Sequence, residues 1–353
     1  MKRSRIIIII FYIIFSFSTV SYAKVLKPID KIPIPRDNPQ TTEKIELGKK
    51  LFFDRRLSGD GTMSCATCHI PDMAFTDGQA ISLSYPTTKN WRNTPTLINI
   101  AFHKSLFWDG RSRSLEDQAL FPVMSSFEMN LNLDYMEEKI RQVPYYRETF
   151  KRIFQEDVNK NNIAKALAAF QRSLISKNAP IDRFLKGDKN ALSTQAKKGY
   201  EIFTTKGGCI KCHHGEALMD QKFHALFVPQ KEEHINDPLI EITRRFVAKQ
   251  HNFKDYKTLK EDVGRYLITK KKQDWMAFKT PSLREVAKTA PYMHNGYFDS
   301  LDDVIDFFDI GGGKGNKVLK PLKLTKEEKE NLKVFLIEAL SSDDIKIIHP
   351  EIP

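Results

Sequence analysis

Several features are scarce in this sequence, and each absence excludes a class of protein. No apolar run reaches the ~20 residues that a membrane-spanning helix needs, which excludes an integral membrane protein. No segment interleaves basic with aromatic residues, so the net charge of +12 does not indicate nucleic-acid binding. Strand patterns are few, which favours a mainly α fold. With 41% hydrophobic residues, the 353-residue chain is long enough for two domains with ordinary cores.

Residues 1–23 have the pattern of a secretory signal peptide. Three basic residues precede an unbroken apolar run from Ile6 to Phe15, and Ser21 to Ala23 offers a small-residue cleavage site. An uncleaved membrane anchor is the alternative, but the run is short for that role. We expect a mature chain that begins at Lys24, carries a charge of +9, has no membrane span and works in a bacterial periplasm.

Cysteine is scarce too, and its four copies fall in two identical patterns. These are Cys65-Ala-Thr-Cys68-His69 and Cys209-Ile-Lys-Cys212-His213. CxxCH is the attachment signal for haem c, because two thiols about one helical turn apart each form a thioether with a porphyrin vinyl group. The following histidine then becomes the proximal iron ligand. Two redox disulfides or a shared zinc site are the alternatives, but neither requires a histidine after each pair. We therefore predict two covalent haems c.

A short helical pattern with a glycine precedes each CxxCH motif, at 47–53 and at 196–203. Two unrelated helices are the alternative to a repeated module. Further helices are predicted at Ile163–Ser176, at Leu301–Phe308 and at Lys326–Leu340, the last with Thr325 as N-cap and Glu328 completing a capping box. Residues 177–193 have the composition of a linker, and the polar residues 230–261 that of a surface insertion.

These patterns predict a mainly α fold with two tandem c-type cytochrome domains, each binding one covalent haem. The expected divisions are a signal peptide at 1–23, an N-terminal arm at 24–44, a first haem domain at 45–180, a second haem domain at 181–340, and a tail at 341–353.

Further motifs make the chain resemble the bacterial di-haem cytochrome c peroxidases and their relative MauG. The resemblance runs from about Gly48 to Phe308, with 230–261 as the main interruption. It is carried by LGKKLFFDRRLSGDGTMSCATCH (47–69), FTDG (75–78), RNTPTLINIAF (92–102), FWDGR (107–111), FKTPSLREVAKTAPYMHNG (278–296) and SLDDVIDFF (300–308). It implies that the N-terminal haem is the peroxide site and that the C-terminal haem receives electrons.

The resemblance also implies roles for single residues. Glu128 matches the family's catalytic acid and base, Gln118 the amide beside it, and Trp108 the tryptophan between the haems. On residue type alone, Glu128 reads as a solvated carboxylate and Trp108 as core packing. Asn93, Thr289 and Pro291 match positions that hold Ca²⁺, an ion that prefers oxygen ligands of this kind.

Two positions depart from the peroxidase pattern. Tyr85 stands where activation-dependent peroxidases place a histidine ligand, so we expect a first haem that is ready for peroxide. Phe308 stands where the peroxidases place Met and MauG a Tyr. Phenylalanine cannot bind iron, so the second haem either has no second protein ligand or takes one from a neighbour such as Met293 or His294.

Three functions are therefore weighed. The first is a peroxidase that reduces hydrogen peroxide to water with electrons from a small cytochrome c or cupredoxin, and the basic chain favours an acidic donor. The second is a MauG-like enzyme that uses peroxide to oxidise residues of a partner protein. The third is a non-enzymatic electron carrier or haem-based sensor. Glu128, Gln118 and Trp108 favour an enzyme, and the peroxidase is preferred. The resemblance also implies a homodimer.

Overall fold

Helices and long loops dominate the part of the chain that the computed structural model describes, residues 24–342 and 345–353. The predicted signal peptide lies outside these residues. The helices are α1 (Thr42–Phe53), α2 (Cys65–Cys68), α3 (Leu115–Met124), α4 (Leu133–Arg141), α5 (Pro144–Phe154), α6 (Lys160–Ser173), α7 (Pro180–Leu185), α8 (Thr194–Thr204), α9 (Glu232–Ile235), α10 (Pro238–Gln250), α11 (Tyr266–Thr269), α12 (Leu301–Asp309) and α13 (Lys326–Val334). Among these residues, no helix combines the length and the apolar character needed to cross a bilayer.

The regular β structure of the described residues is one short antiparallel pair. Strand β1 (Phe223–His224) pairs with β2 (Phe278–Lys279), with Phe223 opposite Lys279 and His224 opposite Phe278. The mainly α prediction is confirmed at this level: the chain is rich in helix and poor in sheet.

Two helix pairs cross closely, and both crossings depend on a glycine in the segment before a CxxCH motif. In α1, a Cβ at Gly48 would lie 1.9 Å from the carbonyl oxygen of Ala166 in α6. In α8, a Cβ at Gly199 would lie 2.0 Å from the carbonyl oxygen of Asn331 in α13. Any side chain at either glycine would separate the helices, so the two halves share one local construction.

Each crossing helps to enclose an apolar core. The first core contains side chains between residues 47 and 174, including Leu47, Phe52 and Phe170. The second contains side chains between 179 and 340, together with Leu26. Burial of large apolar side chains contributes about 1.5–3 kcal/mol each, so these clusters supply the main stabilisation of the fold.

The described N-terminal arm and the C-terminal tail pack on opposite halves. The arm joins the second half, where the Gly215 amide donates a 2.8 Å hydrogen bond to the carbonyl of Val25. The tail joins the first half, where the ring of His349 lies 4.7 Å from that of Phe53. Each end therefore ties one half of the chain to the other.

Several predicted boundaries need correction. The arm ends earlier than Lys44, because Thr41 caps α1 by accepting a hydrogen bond from the Lys44 amide. The predicted linker at 177–193 contains α7, whose first residue is Pro180. Helix α6 ends at Ser173, three residues before the predicted end. The predicted capping box of Thr325 and Glu328 is confirmed, although α13 continues into a π-helical turn at Phe335–Ala339.

The segment 230–261 is more than a polar surface insertion. It contains α10, which buries Ile240 and Val247 beside Trp91 and Phe127 of the first half. The polar composition concealed this face because only one side of α10 is apolar and inward.

Candidate active site

The first CxxCH motif lies in the wall of a cavity with about 1140 Å³ of space between atoms. Ser64 begins α2, which places Cys65 and Cys68 one turn apart. His69 follows, and its ring Nδ1 lies 2.9 Å from the carbonyl oxygen of Phe75. That contact assigns the proton to Nδ1 and leaves Nε2 free to bind a metal. Burial lowers the pKa of His69, which keeps the imidazole neutral.

The second motif repeats this arrangement in a cavity of about 1510 Å³. His213 places its Nδ1 2.9 Å from the carbonyl oxygen of Leu218. Phe75 and Leu218, the two accepting residues, both have left-handed backbone conformations, with φ of 58° and 52°. Burial lowers the pKa of His213 to about 4. Both histidines are thus held as neutral ligands by the same kind of turn.

The chemistry of the cysteines argues against the two alternatives to haem. The two pairs line different cavities, so they do not share one zinc site, and no disulfide joins any of the four. Burial raises the pKa of Cys65, Cys68 and Cys209 to about 12, so these thiols are uncharged in their apolar surroundings. Thioether bonds carry no charge and suit these apolar surroundings.

Further groups in the cavity walls fit a porphyrin with its two propionates. The second wall is mostly apolar, but it contains the buried Lys279. The Lys279 ammonium contacts His103 and pairs with no carboxylate of the described residues, and burial lowers its pKa to about 7. A propionate would supply the missing negative charge.

The three residues predicted to be catalytic all line the first cavity. Gln118 comes from α3, and Glu128 from the turn after that helix. Burial raises the pKa of Glu128, while Arg111, Ser125 and Asn90 act in the opposite direction. A carboxyl group with a raised pKa is suited to exchanging protons near neutral pH.

Arg111 is a wall residue to which the sequence assigned no role, although the FWDGR motif contains it. Its guanidinium lies 3.5 Å from the centre of the Phe107 ring, and Nη1 lies 2.9 Å from the carboxylate of Asp109. These contacts hold a positive charge in the same wall as Glu128. The motif was the available signal, but it did not reveal which way the side chain points.

Trp108 lines both cavities and therefore lies between them. Its indole Nε1 donates a hydrogen bond to the carbonyl of Asn93, and its own carbonyl accepts one from the Lys279 amide. Trp108 thus stands at the boundary between the two cavities that the CxxCH motifs line.

Tyr85 and Phe308, the two positions that depart from the peroxidase pattern, differ in whether they line a cavity. Tyr85 lines neither cavity, and its side chain lies near Asp60 instead, where it helps to lower the pKa of that carboxyl. Phe308, Met293 and His294 all line the second cavity. The His294 ring stacks on Phe278 at 3.5 Å between centres, and burial lowers its pKa to about 3.

The predicted calcium residues lie on two loops that meet. The Asn93 amide donates a 2.8 Å hydrogen bond to the carbonyl of His294, shortly after Thr289 and Pro291 in the chain. The Asn93 side-chain nitrogen donates to the carbonyl of Gln79 at 2.7 Å.

Fold and site together define a helical protein with one CxxCH motif in the wall of each of two cavities and a tryptophan that lines both. The chain belongs to the di-haem cytochrome c peroxidase family, whose model matches residues 42–190. It is 45% identical to cytochrome-c peroxidase IdrP1 of Pseudomonas sp. (strain SCT), over 90% of this chain and 86% of that protein. The predicted family and the peroxidase type of oxidoreductase are thereby confirmed.

Two further comparisons extend over nearly the whole chain. The methylamine utilization protein MauG of Methylorubrum extorquens is 36% identical, over 92% of this chain and 85% of that protein. A crystal structure of a MauG-like protein associated with microbial copper homeostasis superposes with a TM-score of 0.75 at 28% identity, over 90% of this chain and 95% of that one. Both branches of the family that the sequence resembled are represented.

Proposed function

We propose that this protein is a periplasmic di-haem cytochrome c peroxidase that reduces hydrogen peroxide to water with electrons from a small redox protein. One observation carries the proposal: Glu128, Gln118 and Trp108 share a cavity wall with the first CxxCH motif. An electron carrier needs no proton-exchanging carboxyl group beside its haem.

In this proposal, Cys65 and Cys68 attach the first haem, and His69 Nε2 binds its iron. Cys209, Cys212 and His213 do the same for the second, so residues 45–180 and 181–340 each wrap one haem. The bound haems supply iron centres that react with peroxide and exchange single electrons.

The protein's own groups then handle protons and charge. Glu128 accepts a proton from the bound peroxide and returns it to the departing oxygen. Gln118 offers an amide that orients the substrate, and Arg111 stabilises negative charge as the oxygen–oxygen bond breaks. Trp108 provides a π-system between the two cavities, suited to relaying an electron.

The peroxidase proposal is tested by mixing the holoprotein with peroxide and a reduced c-type cytochrome in a stopped-flow instrument. We expect rapid oxidation of the cytochrome, and a loss of about a hundredfold or more in Glu128→Gln. Glu148→Gln, in an exposed position on α5, is the matched control. Equal rates in the Glu128 variant and the wild type would contradict the assigned role.

A MauG-like oxidation of a partner protein is the second candidate, and Phe308 is the observation that favours it. Met ligation raises haem potential, so a second haem without Met is a weaker electron acceptor. The same peroxide titration separates the two candidates. A long-lived oxidised form that turns over the cytochrome poorly would favour the MauG-like function.

We also propose that Asn93, Thr289 and Pro291 contribute oxygen ligands to a Ca²⁺ ion between the two halves. The meeting of their loops at the hydrogen bond between Asn93 and His294 supports this site. Metal analysis of the purified holoprotein is expected to find calcium in the wild type and less of it in Asn93→Ala. Equal calcium in both would contradict the assignment.

The periplasmic location rests on the proposed signal peptide at 1–23. N-terminal sequencing of the protein from a periplasmic fraction is expected to begin at Lys24. A sequence that begins at Met1 would contradict cleavage.

A further inference from the structure

A lysine repeat runs along the outer side of the second cavity. Lysine occurs at every third position from Lys314 to Lys326, and this segment contains no acidic residue. The five side chains are exposed, and none forms an ion pair within residues 24–342 and 345–353. The lysines are Lys314, Lys317, Lys320, Lys323 and Lys326.

The inner side of the same segment is part of the cavity wall. Leu319, Leu322 and Leu324 line the second cavity, as does Val318, which is also 49% exposed. The backbone here is irregular, since Gly315 and Lys323 have positive φ of 103° and 56°. Even so, every lysine of the repeat is exposed, while the leucines between them line the cavity. The segment thus separates the cavity from solvent and presents five positive charges outward.

Side-chain hydrogen bonds hold this segment in place. Asn316 Oδ1 accepts from the amides of Val318 and Leu319 at 2.8 and 3.1 Å. Asp309 accepts from the amide of Leu324 at 2.8 Å through its carboxylate. The lysines are therefore displayed by an ordered backbone, which lowers the entropy lost when a partner binds.

The nearby carboxylates do not neutralise the positive charge of the repeat, because they already form ion pairs with other lysines. Lys329 pairs with Asp306 and Asp309, Lys333 with Asp302, and Lys206 with Glu328. The positive charge of the segment is thus available to a partner from outside the chain.

We propose that the segment Lys314–Lys326 is a docking surface for an acidic face of the electron-donor protein. Five exposed lysines without a carboxylate partner among the described residues suit a surface with many carboxylates better than one small anion. The segment has no aromatic side chain for stacking a nucleic-acid base. A donor bound here lies against the wall of the second cavity. This proposal rests on the proposed peroxidase function and names the partner of its electron-accepting half.

The test compares two double variants of the holoprotein at low ionic strength. Lys317→Glu with Lys320→Glu reverses the docking charge. Lys186→Glu with Lys189→Glu makes the same charge change at exposed positions that line neither cavity. The probes are an acidic small c-type cytochrome and the basic mitochondrial cytochrome c. Binding is measured by NMR titration of the oxidised cytochrome without peroxide, and electron transfer by stopped flow from the reduced form.

We expect the docking variant to bind the acidic cytochrome at least about tenfold more weakly than wild type and to lose most of the salt dependence. The control is expected to behave like wild type, and the basic cytochrome to bind poorly to wild type. Equal affinity in both double variants would overturn the proposal. It would also be overturned if phosphatidylglycerol vesicles bound the wild type through these lysines and the acidic cytochrome did not.

Failure of the peroxidase function would look different. Peroxide turnover with ascorbate and a small mediator does not depend on docking. If that turnover is absent, the peroxidase function is contradicted. The docking surface is tested separately, by whether binding of the cytochrome depends on the lysines.

Discussion

The indole Nε1 of Trp108 donates a 2.9 Å hydrogen bond to the backbone carbonyl of Asn93. The amide of Asn93 in turn donates to the carbonyl of His294, which lines the second cavity. Trp108 is therefore fixed by the loop that also links the first half to the second. Because the indole is held at its polar end, Trp108 keeps one orientation in the wall that the two cavities share.

Replacing Trp108 by Phe removes the indole and its hydrogen bond while keeping an aromatic ring. We expect donor-driven turnover to fall severalfold or more, and the reaction of peroxide with the first haem to persist. Loss of one hydrogen bond costs about 1 kcal/mol, so the protein remains folded. Steady-state and single-turnover stopped-flow measurements separate the two effects. Trp275→Phe, at a 40% exposed position, is the control, and equal turnover in the two variants would contradict a relay.

The pH profile of the peroxide reaction is expected to follow Glu128. Its ionised form accepts the proton, so the rate falls as pH drops through a pKa that burial has raised above the ordinary value. Arg111 lowers that pKa, so Arg111→Gln is expected to move the acid limb to higher pH. Arg113→Gln, an exposed neighbour, provides the comparison. An acid limb unchanged by Arg111→Gln would show that another group titrates.

Asp262 ties the segment around α10 to the first half through Arg92. Arg92 Nε and Nη2 donate to its carboxylate at 2.6 and 2.9 Å, and Trp91 Nε1 donates at 3.1 Å. Asp262→Asn leaves a buried charge incompletely paired, and we expect a loss of about 3–5 kcal/mol in the free energy of unfolding. Denaturant titration of the holoprotein measures it, with exposed Glu261→Gln as control. A loss no larger than that of the control would contradict this role.

The same pair predicts an acid-sensitive stability. Burial acts to raise the pKa of Asp262, but Arg92 outweighs it, and the pKa lies below the usual range. The stabilisation is therefore present above the unfolded carboxyl pKa of about 4 and is lost as pH falls towards the native value. In Asp262→Asn, thermal unfolding between neutral and acid pH is expected to lose part of this dependence. An unchanged pH dependence would assign it to other carboxyl groups.

Phe308→Met is expected to give the second haem a thioether ligand and a higher reduction potential. The wild type is expected to show a high-spin ferric signal that decreases in the variant. EPR and spectroelectrochemical titration of both holoproteins measure the change. Phe307→Met, in a buried ring packed on Phe298, is the control. Identical spectra in wild type and Phe308→Met would mean that position 308 does not approach the iron.

Much of the site could be read from local sequence because its signals are local. The two CxxCH motifs need only one turn of chain, and the capping box of Thr325 and Glu328 spans four residues. The helical patterns around Gly48 and Gly199 were also visible, although their role in two close helix crossings was not. That role depends on Ala166 and Asn331, which lie more than a hundred residues away.

Other features had no local signal. Arg111 is part of the FWDGR motif. Its place in the wall beside Glu128 nevertheless depends on the path of the chain through α3, which separates the two residues. The packing of α10 against Trp91 joins segments about 150 residues apart, so composition alone indicated only a polar insertion. The lysine repeat is visible in the sequence, but only the fold places the leucines between the lysines in the cavity wall.

The sequence by itself indicated the helical class and the family and predicted the cofactor attachment, because thioether chemistry and helix capping act between near neighbours in the chain. Tertiary structure alone decided which side chains share a cavity, which way Tyr85 turns, and which half each chain end joins. Those outcomes depend on burial and hydrogen bonding between segments that are distant in the chain, and these contacts form only when the whole chain folds. The four cysteines indicated haem chemistry. The packing around them decided where the protons and charges of the two cavities lie.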